Sequence, residues 1–207
     1  MSKSDAAAKP QTENGLNAER LNLRFLMESD ISEVVAAERL SLPQDCFHWC
    51  LGADGIKSIV KQRHSEAAGT WDTRSMVIEM PVQDCKNPNQ WIAWVCGAFA
   101  FELQPVGYEI LYVIVHPDAP LDKIIHIISL FMRGKADRSP LRRTVTLYLR
   151  DRDEAGLRKL LPIWRSKGFE SSLARDYFGQ DDGWKMVYES EVPNEERDKR
   201  DGDKQFS

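Results

Sequence analysis

The sequence predicts an α/β (α+β) domain: a mixed central sheet of about seven strands with helices on both faces. Two observations predict it. An apolar strand at 108–115 runs through His116-Pro-Asp118 into an apolar helix that starts near residue 121. Around that unit the elements follow the order β-α-α-β-β-β-α-β-α-β-β, which calls for a mixed sheet with helices packed on it. With 207 residues, 42% of them hydrophobic and 29% charged, the chain has ample apolar material for one core.

The first strand is expected at Asn22–Met27. Ser29 or Asp30 then caps a helix whose i, i+3, i+4 pattern begins with Ile31, Val34, Val35 and Glu38. Pro43 and Asp45 interrupt it, and a second helix carries Phe47, Cys50 and Leu51 onward to Val60. Strands at Ser75–Val82 and Trp91–Leu103 flank a turn-rich Asp84-Cys-Lys-Asn-Pro-Asn89 loop. The helix at 121–135 is closed by Ser139-Pro140, and a strand follows at Thr144–Arg150. Asp153 can cap a helix from Glu154 to Lys167, which Gly168 ends. Two last strands, near Ser172–Tyr177 and Trp184–Glu191, surround the turn at 179–183. Residues 1–20 are polar and aperiodic, and 192–207 mix charges without an apolar face. They are expected to be a disordered leader and a solvated tail around a domain at 21–191.

A net charge of −4 argues against nucleic acid as the main partner. The longest apolar runs fall short of a bilayer span, so no membrane partner is expected. No secretory h-region precedes the domain, and four cysteines without a Cys-x-x-Cys pair make no disulfide framework. A cytoplasmic setting is expected. Cys46-Phe-His48-Trp-Cys50 lacks a second ligand cluster at zinc spacing, so buried cysteines are expected there and no metal. His126 reads as a half-buried helix residue.

Five pieces, in this order and spacing, carry a family resemblance. They are Leu23-Arg-Phe-Leu26 with Asp30-Ile-Ser-Glu33, the strand Glu109–Val115 with His116-Pro-Asp118, Arg150-Asp-Arg-Asp153, Gly168-Phe169, and Arg175-Asp-Tyr-Phe178 followed by Lys185-Met-Val-Tyr188. Over residues 21–190 the chain resembles the GCN5-related N-acetyltransferase (GNAT) superfamily, and within it the ribosomal-protein-alanine N-acetyltransferases. The resemblance implies acetyl-CoA as cosubstrate, held where the fourth and fifth strands part after Val115. It also implies transfer of the acetyl group to an amine, such as a protein N-terminus. The main chain of Val113, Ile114 and Val115 would face the cosubstrate, with Lys123, Ile124 and Asp153 around it.

The chain departs from the family's pattern in the pyrophosphate loop, which is degenerate here. Pro120 stands at the arginine position, and Leu121, Lys123 and Ile125 occupy the glycine-rich positions. Pro120 has no N–H to offer, and Asp122 adds a negative charge. Tyr148 stands where the alanine acetyltransferases carry a glutamate base, and Trp164 where they carry a tyrosine acid. An indole cannot serve as that acid.

Acyl transfer to an amine needs a base, donors for the developing oxyanion and support for the leaving thiolate. Glu109 is the candidate base, as glutamates on this strand are in some branches of the family; otherwise it is a strand carboxylate in water. Tyr108, Tyr148 and Tyr177 are candidate acids or strand-packing residues, and Tyr177 matches the aromatic lining of the family's peptide groove. Arg133, Lys135, Arg138, Arg142 and Arg143 either meet an adenosine phosphate or an acidic partner, or form a solvated basic helix end. Two function classes follow: an acetyl-CoA-dependent N-acetyltransferase, and a catalytically inactive protein of the same fold that binds an unknown protein partner.

Overall fold

In the computed structural model the described residues are 20–40, 54–58, 73–150, 154–177, 179 and 182–191. The leader (all but residue 20), the Cys46–Cys50 stretch, Asp153 and the 192–207 tail lie outside them.

Strand alternation builds the sheet. In β5 (Thr144–Arg150) Val145, Leu147 and Leu149 are buried on one face, while Thr144, Thr146, Tyr148 and Arg150 take the other. β1 (Asn22–Phe25), β2 (Thr73–Gln83), β3 (Trp91–Leu103) and β4 (Gly107–Val115) precede it, and β6 (Glu170–Ala174) and β7 (Gly183–Glu189) follow. The seven strands lie in the order β1-β2-β3-β4-β5-β7-β6, with β4–β5 the parallel pair and the other pairings antiparallel.

Each face has its own core. α1 (Ile31–Leu40) and the helical stretch at 54–58 lay Ile31, Val34, Ala37 and Ile56 on Val77, Ala98, Ala100, Tyr112 and Ile114. On the opposite face α2 (Leu121–Asp137) buries Ile124, Ile125, Ile128 and Met132 completely, each contributing about 1.5–3 kcal/mol by leaving water. There it meets Phe99, Val113, Leu147 and, from α3 (Glu154–Ser166), Leu160 and Trp164. His126, expected half-buried, is exposed on the outer side of α2.

Several element ends differ from expectation for local reasons. β1 stops at Phe25 because the Met27 N–H donates to the Asp30 carboxylate at 2.8 Å, turning the chain into a 3-10 turn at Glu28–Asp30. Arg24 clamps that turn, bonding both Asp30 oxygens at 2.7 and 2.9 Å and Glu79 through Nε at 2.7 Å. β6 begins earlier than expected because Gly168, at φ +87°, ends the helical turn at once. It ends earlier too, where Asp176 at φ 52° donates its N–H to Asp182.

The feature that positions the site lies between β4 and β5. Their pairing runs only from Gly107↔Thr144 to Ile110↔Leu147, after which β4 continues to Val115 and β5 to Arg150. The strands therefore part after Ile110, five residues before the expected Val115. The β3–β4 register jumps at the same place, from Phe101↔Ile110 to Ala100↔Tyr112, leaving Leu111 as the extra residue of a bulge. A bulge bends its strand, which accounts for the early parting.

Candidate active site

Three side chains singled out in the sequence meet at the mouth of this gap. Glu109 and Tyr148 stand on neighbouring strands on the α1 face, and the turn after β6 swings Tyr177 over them. The Tyr148 and Tyr177 rings stack nearly parallel, 8° apart with centroids separated by 3.7 Å. The Tyr177 hydroxyl donates to the Glu109 carboxylate and also contacts the Tyr148 hydroxyl. Tyr108 points the other way, edge-on to Phe101 in the opposite core, and does not join them.

Two further residues belong to this group. Glu102 lies opposite Glu109 on β3, and Lys185 lies opposite Tyr148 on β7. Glu102 was legible as the one carboxylate in the row Ala98, Ala100, Glu102, at a position whose period puts it indoors. Lys185 had no such signal, because an isolated lysine on a strand reads as solvated.

Electrostatics follows from this geometry. Burial, then the neighbouring Glu102 charge, raises Glu109 above the ordinary carboxylate range, against the Tyr177 hydrogen bond and Lys185. Burial likewise raises Glu102. Tyr148 and Tyr177 are raised by burial first and the Glu109 charge second. Further along this face the fully enclosed Tyr112 hydroxyl, 3.3 Å from Ser75 Oγ, is pushed up to about 12 by burial.

The gap itself is lined by main chain. The His116 N–H donates to Cys96 O at 2.9 Å, which fixes the phase of the ladder. In an antiparallel pair the amides alternate sides, so Ile114 turns toward β3 while Val113 and Val115 turn to the side that β5 has left. At the α2 N-terminus the amides of 121–123 precede the first intrahelical bond, Ile124 N–H to Pro120 O at 3.0 Å. Ile124 thus uses its own N–H inside the helix and buries its side chain, leaving nothing to offer a cosubstrate. Ile125 also turns into the core and stays out of the loop. Lys123 is exposed in this first turn, and Asp122 pairs with Lys167 at 3.1 Å. At this end of the gap Asp118 and Asp122 offset Lys123 and Lys167, so it is the unpaired amides of the helix N-terminus that favour negative charge there.

Other candidates fall elsewhere. Trp164 is fully buried edge-on to Phe169, and its Nε1 has no acceptor among the described residues. The basic residues at and beyond the end of α2 do not form one patch. Arg133 donates to Lys167 O at 2.9 Å and covers the Tyr188 ring, Arg138 binds back to Gly134 O, and Arg142 donates to Gln104 O. Among the described residues no three His, Cys, Asp or Glu side chains are placed to hold a metal, and no helix is long and apolar enough to cross a membrane.

Comparison with solved structures identifies the architecture as the GNAT fold. Spermidine N-acetyltransferase from Vibrio cholerae, solved with CoA and spermine, matches at 13% identity and a TM-score of 0.58, over 84% of this chain and 98% of that one. Arabidopsis thaliana NAA60 with a bisubstrate analogue matches at 13% identity and a TM-score of 0.56, over 84% of this chain and 100% of that one. The ribosomal-protein-S18-alanine N-acetyltransferase of Escherichia coli matches at 13% identity and a TM-score of 0.53, over 84% of this chain and 97% of that one. At such identities the likeness establishes the fold. No family model and no curated protein matches the sequence.

Proposed function

We propose that the protein is an acetyl-CoA-dependent N-acetyltransferase acting on an amine. The observation that carries this reading is the parting of β4 and β5 after Ile110↔Leu147, directly beside Glu109, Tyr148 and Tyr177. A carboxylate, two phenols and outward-turned strand amides at one opening are the parts that acyl transfer to nitrogen requires.

Acetyl-CoA supplies the acetyl group as a thioester. Glu109, more basic than an ordinary carboxylate, takes a proton from the acceptor ammonium and frees the nitrogen lone pair to form the new C–N bond. The Val113 amide is directed at the side where the carbonyl oxygen gains charge. Tyr148, held in its protonated form at neutral pH, donates a hydrogen bond to the sulfur as the C–S bond breaks, while the Tyr177 hydroxyl stays on Glu109. The second proton shed by the nitrogen passes to the leaving thiolate, which departs as the thiol of CoA. At the far end of the gap the first amides of α2, with Lys123 beside them, balance the diphosphate charge. The free thiols of Cys85 and Cys96 suit a reducing, cytoplasmic setting, and the transferase is taken to occupy residues 21–191.

Titration with acetyl-CoA, read by calorimetry and thermal shift, tests the reading. At a hundred times its dissociation constant the ligand adds about 2.7 kcal/mol of stability. No heat and no shift at millimolar acetyl-CoA would remove the transferase reading.

A further inference from the structure

β7 runs on past its outer neighbour. It pairs with β5 as far as Thr144↔Glu189, but with β6 only as far as Glu170↔Val187. Gly168, at φ +87°, turns the chain away before it can meet Glu189, and its own N–H goes back to Arg165 O. The Ser190 N–H donates to Arg143 O at 2.9 Å on the β5 side, so by alternation the N–H and carbonyl of Glu189 face outward. Among the described residues neither has a partner. A cavity of about 520 Å³ lies along this edge, in the size range of ligand clefts, and Arg133, Gly168, Glu170, Tyr188, Glu189 and Glu191 help to line it. It is at the end of the sheet away from the β4–β5 gap, because Glu189 is level with Thr144 while that gap begins at Leu147. Arg133 enters from α2, its guanidinium tied to Lys167 O at 2.9 Å and lying 4.6 Å from the Tyr188 ring centroid. It stands beside Gly168, where a Cβ would come 3.7 Å from Arg133 Nη1. Glu170, Glu189 and Glu191 are exposed.

We propose that this edge is a docking slot for the C-terminal end of a basic polypeptide, which adds to β7 as a short antiparallel strand in line with β6. The inference is independent of the transferase reading. The chain at Gly168 stands across the inner end of the slot, so only a terminus fits there. A strand antiparallel to β7 arrives with its C-terminus, and a parallel one with its N-terminus. Arg133, beside Gly168, attracts the carboxylate and repels an ammonium. The last residue then lies opposite Glu189, accepting the Glu189 N–H at its terminal carboxylate and donating its own N–H to Glu189 O. Its side chain leaves on the face that carries Glu189 and Glu170, and the residue two before it comes level with Glu191. Three glutamates against one arginine leave the slot net negative. A bound carboxylate therefore requires basic side chains at those two positions, and an acidic tail meets like charge at both.

The test uses the full 15N-labelled chain with the peptide acetyl-Ala-Lys-Ala-Lys, its carboxylate free, followed by amide correlation spectra. The amides of Gly168, Glu189 and Glu191 should shift saturably, while those of Val113 and Val115 at the gap stay in place. Three altered probes should each bind about tenfold weaker or worse: the C-terminal amide, the peptide N-methylated at its last residue, and acetyl-Ala-Glu-Ala-Glu. In Arg133→Met the difference between the free-acid and amide peptides should vanish. Should that variant fail to fold by circular dichroism, Glu189→Lys takes its place, and it should weaken the lysine peptide about tenfold or more. The proposal is overturned if Gly168, Glu189 and Glu191 do not move at millimolar peptide. It is overturned equally if the amide, N-methyl or glutamate peptide binds as well as the parent, or if the folded variant binds as wild type does.

Discussion

Replacing Gly107 by alanine puts the opening between β4 and β5 under direct strain. Gly107 does not adopt a positive φ; it is needed for space. A Cβ there would overlap both the hydroxyl and the carbonyl oxygen of Thr144 and sit 3.0 Å from its carbonyl carbon. Rotating the hydroxyl away breaks its 3.2 Å bond to Val106 O, a loss of about 1 kcal/mol. The carbonyl cannot rotate, so the parallel pair must open at its first rung, losing a ladder bond worth about 1 kcal/mol. Overpacking strain of about 1–3 kcal/mol comes on top, while reduced freedom of the unfolded chain returns about 0.4–1 kcal/mol. A net loss of about 3 kcal/mol lowers Tm by about 6–12 °C at this chain length. Gly97→Ala is the internal control, because its Cβ would stand 3.1 Å from Ile114 O and 3.3 Å from Ile124 Cγ2, contacts that a few tenths of an ångström relieve. It should cost about 1 kcal/mol or less. Urea and thermal unfolding by far-UV circular dichroism read both. If Gly107→Ala loses no more than Gly97→Ala, the claim that this four-residue ladder is tightly closed is refuted.

Glu109→Gln should lower kcat about 100-fold or more, as expected for loss of a general base, while the acetyl-CoA dissociation constant stays within about twofold; steady-state kinetics beside calorimetry separates the two. Tyr177→Phe removes a hydrogen bond that lowers the Glu109 pKa, so the acid limb of kcat/KM should move to higher pH, and an unmoved limb would detach Tyr177 from Glu109. Asp30 is held below the usual carboxylate range by Arg24 and the Met27 N–H, against the burial that pushes it up. Its stabilisation is therefore present above the unfolded pKa of about 3.9 and lost as pH falls through the depressed folded value. Asp30→Asn should cost about 2 kcal/mol at pH 7 and progressively less as the wild-type carboxylate protonates, measured by urea midpoints across pH.

Much of this arrangement could be read from the residues because local rules and packing agree. Trp91–Leu103 and Thr144–Arg150 fall where their alternation and flanking turns put them, and α2 starts at Leu121 behind Pro120. The parting of β4 from β5 is different: nothing local marks Leu111 as a bulge, since an apolar residue in an apolar strand fits either register. β6 was misplaced because its ends are set by Gly168 and by the positive φ of Asp176, and only the first is a strong signal in sequence. Glu109, Tyr148 and Tyr177 could be named singly, but that they touch depends on the turn that carries Tyr177 back over β5. The burial of Glu102 could be read from the alternation of its strand, but its partner is decided by hairpin register, a property of the pair rather than of either strand.

That dependence on register makes the Pro105-Val106 turn more than a connector. One residue inserted or deleted there, without any change to the carboxylates themselves, would set Glu109 across from Phe101 or Leu103 and dissolve the pair. In a lineage of such chains, hairpin length would be the trait to follow. A copy with both glutamates but a turn of different size would have kept the letters and lost the site.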